Sequence, residues 1–338
     1  MNILSYRGPS SAGGVSGALS RLVAQTGAQR WWYLDGQHLS SRWNLQSTAQ
    51  QLHQFSPGIV AGHYRYCNNF LWPILHDLPE FASFNALDKM HYKQFNLIFA
   101  NNLLKANHTK RRLTCHINDY QMALTAKFIE ASSGYRDTSI FWHIPWPKNV
   151  TPDYVDLIVE IADGLLSSRQ IGFHVTEYAT NFLTFVKNNM PDYEVDVSEK
   201  RIIHLQNKRR ITRIVAMPLG LDFDYWSNQS QTSNELVDLS SMVSGQFVLS
   251  VDRMDYTKGV LHRIDAIDQF FATHGTWKSK ICFLQVCQRS RPGLPAFDDY
   301  WQRCLTRAKE VNSRWQNENW RPIVWVENPL PPETLAQL

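Results

Sequence analysis

Ser250-Val251-Asp252-Arg253-Met254-Asp255-Tyr256-Thr257-Lys258-Gly259 is the stretch that decides the fold. The apolar run Phe247-Val248-Leu249 precedes it, and Leu261, Ile264, Ile267, Phe270 and Phe271 follow at helical spacing. That reads as strand, short loop and helix, with two cations placed where the helix begins. A helix N-terminus presents unpaired N–H groups and the positive end of its dipole, so it favours an anion. Arg253 can grip two phosphate oxygens at once, and Lys258 adds a point charge. The pattern points to a diphosphate site in an α/β fold; a solvated loop with two surface cations is the alternative reading.

Strand-like runs recur at 3–6, 97–100, 140–143, 214–217, 247–251, 281–287 and 323–326, alternating with helical stretches. Such alternation predicts parallel sheets covered by helices. At roughly 150 residues per domain, a chain of 338 suggests about two. The polar, Ser/Asn/Gln-rich stretch 228–245 marks the approach to the boundary. The expected domains are 1–240 and 241–338, and the second contains only three strand runs, an incomplete sheet.

Hydrophobic residues make up 43% of the chain, enough for sizeable cores, and the net charge of +4 is too small to imply nucleic acid. The clusters Lys110-Arg111-Arg112 and Lys208-Arg209-Arg210 read as solvated loops. Five cysteines with no Cys-x-x-Cys pair support neither a disulfide framework nor a zinc site and fit a reducing compartment. No signal-peptide pattern or membrane-length apolar run is present, so a soluble, cytoplasmic protein is expected. A homo-oligomer is compatible with the sequence.

Several further segments could carry chemistry. Arg7 follows the first strand run, and the Gly13-Gly14 pair before a helix lets backbone N–H groups approach a phosphate. It is not the Gly-x-Gly-x-x-Gly fingerprint, which argues against a nicotinamide dehydrogenase. The segment His63-Tyr64-Arg65-Tyr66-Cys67-Asn68-Asn69-Phe70-Leu71-Trp72-Pro73 supplies aromatic faces for sugars and polar groups for hydroxyls or phosphate; an aromatic core patch is the competing explanation. Asp119 and Tyr120 end a strand, where open α/β sheets bind ligands, and His143 ends another. Arg289 and Arg291 end a strand of the second domain.

Taken in order, these segments resemble the retaining glycosyltransferase family of trehalose-6-phosphate synthases. The resemblance lies in Ser11-Ala12-Gly13-Gly14, Asn68-x-x-Leu71-Trp72-Pro73-x-x-His76, Asp119-Tyr120, His143-Ile144-Pro145-x-Pro147, Ile171-Gly172-Phe173-His174, Pro218-Leu219-Gly220, Asp255-Tyr256-x-Lys258-Gly259 and Ser290-Arg291. It implies two Rossmann-like domains facing a central cleft (the GT-B type), an N-terminal acceptor domain and a C-terminal nucleotide-sugar domain that is incomplete here. It implies transfer of glucose from a nucleoside diphosphate glucose to glucose 6-phosphate, with retention, giving trehalose 6-phosphate.

The resemblance also assigns residues. Arg253 and Lys258 hold the donor diphosphate, Gly13 and Gly14 approach it, and His143 lies near the transferred glucose. Arg7, His63, Tyr64, Trp72, Asp119, Tyr120 and Arg291 line the acceptor site, with Arg7 and Arg291 facing its phosphate. No metal or other cofactor is implied, and the donor base (uridine, adenosine or guanosine) is left open. Departures gather on the acceptor side: His63 with Tyr64 beside it replaces the family's usual Tyr, and Asn118-Asp119-Tyr120-Gln121 stands for His-Asp-Tyr-His. Trp146 replaces a Phe, and the loop from Arg7 to Ser11 is short. A related enzyme acting on glycerol 3-phosphate, or a non-catalytic sugar-phosphate-binding regulator, therefore stay open. Ser290-Arg291 favours glucose 6-phosphate. The family's Asp-Gly-Met-Asn-Leu-Val-x-Lys-Glu donor segment falls after Leu338.

Overall fold

The computed structural model describes residues 1–9, 14–26, 30–43, 45, 47–107, 113–134, 137–207, 210–231 and 246–338. They form two compact units, Met1–Leu219 and Gly220–Leu338. The division falls earlier in the chain than the 240/241 boundary expected from composition. The reason is the helix Phe223–Gln231, whose polar sequence reads as linker but which packs against the helix Pro332–Gln337 of the second unit.

Among the described residues, unit 1 is built on one ten-stranded sheet. Its strands are β1 (Asn2–Arg7), β2 (Arg30–Asp35), β3 (His38–Arg42), β4 (Gln50–Gln54), β5 (Cys115–Asn118), β6 (Thr138–Trp142), β7 (Gln170–Phe173), β8 (Tyr193–Asp196), β9 (Arg201–His204) and β10 (Ile211–Ala216). Their order is β4-β3-β2-β1-β5-β6-β7-β10-β9-β8. The six central strands are parallel, and antiparallel hairpin strands extend both edges. Central strands of a parallel sheet are covered on both faces, which explains why Ile3, Leu4, Ile117, Ile140, Trp142, Ile171 and Phe173 are all buried. The edge strands carry more polar residues, as in Gln50-Gln51-Leu52-His53-Gln54, and give a weak pattern.

One expected strand is corrected. Residues 97–100 are a turn of the helix Ala86–Ala106, which buries Tyr92, Phe95, Phe99 and Leu103 at three- and four-residue spacing. Asn85 starts this helix by accepting the Asp88 N–H at 3.1 Å. A short apolar run does not by its own periodicity separate a strand from a helix turn, and here the longer repeat decides.

Unit 2 holds β11 (Gln246–Met254), β12 (Ile281–Arg289) and β13 (Ile323–Val326), parallel in the order β11-β12-β13. The helices Val260–Thr273 and Pro295–Trp315 make the crossovers. Cys282, Leu284, Val286 and Val324 form a buried apolar cluster. Asp268 clamps the two helices: its carboxylate accepts from Arg307 at 2.7 Å, Arg314 at 2.8 Å and the Trp315 indole at 2.6 Å. All five cysteines are buried, and none is in a disulfide among the described residues. Among the described residues, no helix is long and apolar enough to cross a membrane.

Candidate functional site

The carboxyl ends of β1, β5, β6 and β7 lie side by side in unit 1, and polar side chains there are tied across the strands. Asn118 donates its Nδ2–H to the Leu4 carbonyl at 3.2 Å, so its Oδ1 faces His143 and accepts from Nε2 at 3.0 Å. This fixes the imidazole with its proton on Nε2 and a lone pair on Nδ1. That Nδ1 is buried with no hydrogen-bond partner among the described residues. Burial, with smaller contributions from His174 and His116, pushes the His143 pKa down to about 3. The ring is therefore neutral at physiological pH, and its Nδ1 is left as a hydrogen-bond acceptor.

Asp119 follows directly. Its backbone lies at φ 72°, ψ 170°, a region glycine normally fills. The strain is held by two bonds: the Asp119 N–H donates to Phe141 O at 2.8 Å, and Oδ1 accepts the His143 N–H at 3.1 Å. A carboxylate with only 8% residual exposure is thus aimed by a backbone that costs energy to maintain. Beside it, Gly172 on β7 makes room for Phe141, because a Cβ there would come within 2.8 Å of the ring. Phe141 in turn packs against His143 and His174, with ring centroids at 4.7 and 5.1 Å.

Trp72 and Tyr120 meet on the neighbouring elements. Tyr66–Leu71 is a π-helical segment between the helices Pro57–Arg65 and Trp72–Leu75. Pro73 explains it: with no N–H, it leaves the Asn69 carbonyl without its helical donor, and Ser83 N–H takes that carbonyl at 2.7 Å. Trp72 N–H reaches back five residues to Cys67 O. Wide turns of this kind often mark functional sites. Here it sets Asn68 under Tyr120, whose hydroxyl donates to Asn68 Oδ1 at 3.4 Å, with the Trp72 and Tyr120 rings 5.9 Å apart.

The other expected acceptor residues differ in exposure. Arg7 ends β1 and is exposed, and Tyr64 is half-buried. His63 is a correction: it has no exposure and donates Nε2–H to the Gln121 carbonyl at 2.9 Å. It stacks on Tyr6 and Tyr92, with centroids at 5.1 and 5.3 Å, and burial pushes its pKa down to about 4. It is a neutral core residue rather than a phosphate contact. Trp72 and Tyr120 are also largely covered, at 6% and 2%. Gly14 begins the helix Gly14–Thr26, whereas Gly13 lies outside the described residues. So do residues 110–112 and 208–209 of the two basic clusters; Arg210 is tied to Glu130 at 2.5 Å.

In unit 2, β11 runs into the loop as expected; Arg253 is exposed next to the end of the strand and Lys258 is exposed in the loop. The turn Tyr256–Lys258 is capped by Asp255, and Gly259 at φ 63° leads into the helix Val260–Thr273. The helix N-terminus is less open than the sequence implies, because Leu261 N–H donates to the Tyr300 hydroxyl at 3.0 Å. Arg291 is more enclosed than the sequence implies. Its guanidinium is buried against the Asp255 carboxylate within unit 2, with its side chain 9% exposed, and it lies over the Phe297 ring at 4.7 Å. Residues missed from sequence are Asn68, His174 and Asp255; each lies within a quoted motif but was given no role.

The glycosyltransferase family 20 model matches residues 35–338. A bifunctional trehalose-6-phosphate synthase/phosphatase of Thermoproteus tenax is 30% identical over 82% of this chain, which spans 38% of that protein. A UDP-forming alpha,alpha-trehalose-phosphate synthase of Pichia angusta is 26% identical over 93% of the chain, which spans 68% of it. The fold matches a Burkholderia xenovorans synthase solved with glucose-6-phosphate, at TM-score 0.87 and 21% identity, covering 99% of this chain and 76% of that one. It also matches an E. coli protein solved with UDP-2-fluoro glucose, at TM-score 0.86 and 19% identity, covering 99% and 75%. The two-unit α/β architecture is thus that of trehalose-phosphate synthases, and the chain belongs to glycosyltransferase family 20.

Proposed function

We propose that this protein is a retaining glucosyltransferase that moves glucose from a nucleoside diphosphate glucose to glucose 6-phosphate, giving trehalose 6-phosphate. The observation that carries the reading is the pair of exposed cations Arg253, next to the end of β11, and Lys258, on the capped turn that follows it. Breaking the donor's glycosidic bond puts negative charge on the departing diphosphate, and fixed cations aimed at it stabilise the transition state. Each close contact contributes up to ~4 kcal/mol at an effective dielectric near 20. That inventory supplies the charge stabilisation from the chain itself, so we assign no metal to the reaction.

In unit 1, the neutral His143 offers Nδ1 to a glucose hydroxyl, and Asp119, Tyr120 and Trp72 are assigned to the acceptor sugar, with Arg7 toward its phosphate. The acceptor attacks from the face the diphosphate leaves, and the leaving phosphate takes its proton. The names of the relatives favour uridine as the donor base. Phosphorylated sugar substrates and buried cysteines outside any disulfide fit a cytoplasmic setting.

Incubating the full-length protein with labelled UDP-, ADP- or GDP-glucose and glucose 6-phosphate tests this. A disaccharide phosphate with both anomeric centres α is expected from one donor. Donor left intact with every acceptor, glycerol 3-phosphate included, rejects it. Product from glycerol 3-phosphate alone reassigns the acceptor.

A further inference from the structure

Asp255 lies in the cationic loop but faces inward. It has no exposure, and its two carboxylate oxygens serve different elements. Oδ1 accepts the N–H of Thr257 at 3.1 Å and its hydroxyl at 3.0 Å, closing the turn that presents Lys258. Oδ2 accepts from Arg291, which lies beyond the end of β12. The Asp255 carbonyl accepts the Lys258 N–H at 2.9 Å. β11 and β12 stay in register up to the Met254–Arg289 pair, so the loops that leave them start side by side. Arg291 itself sits at φ 46°, a left-handed conformation uncommon for residues with side chains, and is braced by Phe297. Burial favours the neutral acid, but the Arg291 charge and the Thr257 bonds hold the Asp255 pKa below the usual carboxylate range.

We propose that Asp255 is the positioning residue of the cationic loop, locking the Lys258 turn to Arg291 so that Lys258 stands preorganised for a diphosphate. The inference rests on the donor-site reading above. It also makes a prediction of unusual sign. A buried anion beside a diphosphate site opposes ligand binding through Coulomb repulsion, so removing its charge alone tightens binding. A positioning role demands the opposite, because a loosened loop must be ordered when the ligand arrives.

Calorimetric titration with UDP separates the two. Asp255→Asn keeps an oxygen for Thr257 and loses the ion pair; we expect UDP affinity to fall at least tenfold. Thr257→Val removes only the hydroxyl bond, and a loss of about threefold is expected; it serves if Asp255→Asn fails to fold. Asp268→Asn weakens the helix clamp elsewhere in unit 2 and provides a stability control, with UDP affinity expected to stay within twofold of wild type. Adding Arg291→Gln to Asp255→Asn should weaken binding no further, since both act through one contact. Unchanged or tighter UDP binding by Asp255→Asn and Thr257→Val overturns the positioning role. Equal losses in Asp268→Asn also overturn it, by showing a general stability effect. Absence of UDP binding by wild type overturns the donor-site reading itself, and the inference with it.

Discussion

Acidification should destabilise unit 1 through His63. Its folded pKa of about 4 lies below the ordinary value of 6.5, so the unfolded chain binds the proton more readily. The contribution is fully present above pH 6.5 and is lost as pH falls from there toward 4. At 1.36 kcal/mol per unit, the window is worth about 3 kcal/mol, of which about 2 kcal/mol is lost between pH 7 and pH 5. Other groups titrate there too, His143 among them, so the test is differential. His63→Phe keeps a ring between Tyr6 and Tyr92 and loses the bond to Gln121, at a cost of about 1 kcal/mol at pH 7. Urea unfolding, read by hydrogen exchange in the helix Pro57–Arg65, should give a wild-type stability that falls about 2 kcal/mol more than the variant's from pH 7 to pH 5. Parallel pH dependence in the two proteins would show that the burial of His63 does not govern its titration.

The strained Asp119 makes a paired prediction: Asp119→Ala should destabilise unit 1 by about 2 kcal/mol, whereas Asp119→Gly should recover at least about 1 kcal/mol of that by relieving the backbone, as denaturant curves would show. Gly172→Ala should cost about 1–3 kcal/mol by driving a methyl into Phe141, and crystallography should find the Phe141 and His143 rings displaced. An unshifted Phe141 would contradict the close approach. His143→Phe should leave stability within about 1 kcal/mol yet lower turnover at saturating donor; equal turnover would remove Nδ1 from the reaction.

How much of this was legible in the sequence depended on range. The β11 strand, the turn at Lys258 and the helix beyond it were readable because strand, turn and helix signals followed one another locally. The strand ends expected at Asp119 and His143 fall one residue earlier, at Asn118 and Trp142. Residues 97–100 misled because four apolar residues fit two periods, and only the buried positions of the whole helix Ala86–Ala106 decide between them. His63 misled because its burial is made by Tyr6, Tyr92 and Phe95 from other segments. Arg291 looked like a displayed cation because its partner, Asp255, lies on another strand's loop. The positive φ of Asp119 left no local mark, since nothing in Asn118-Asp119-Tyr120 calls for a glycine-like backbone. The π-helical turn at Tyr66–Leu71 could have been suspected from Pro73 alone.

The claim on which the account turns is that Arg253 and Lys258 grip the diphosphate of the donor. Phosphorus NMR of UDP titrated into wild type and into an Arg253→Ala/Lys258→Ala double variant measures it directly. Both phosphorus resonances should shift on binding to wild type, with the shift lost in the double variant at the same protein concentration. Identical titrations in the two proteins would contradict the account.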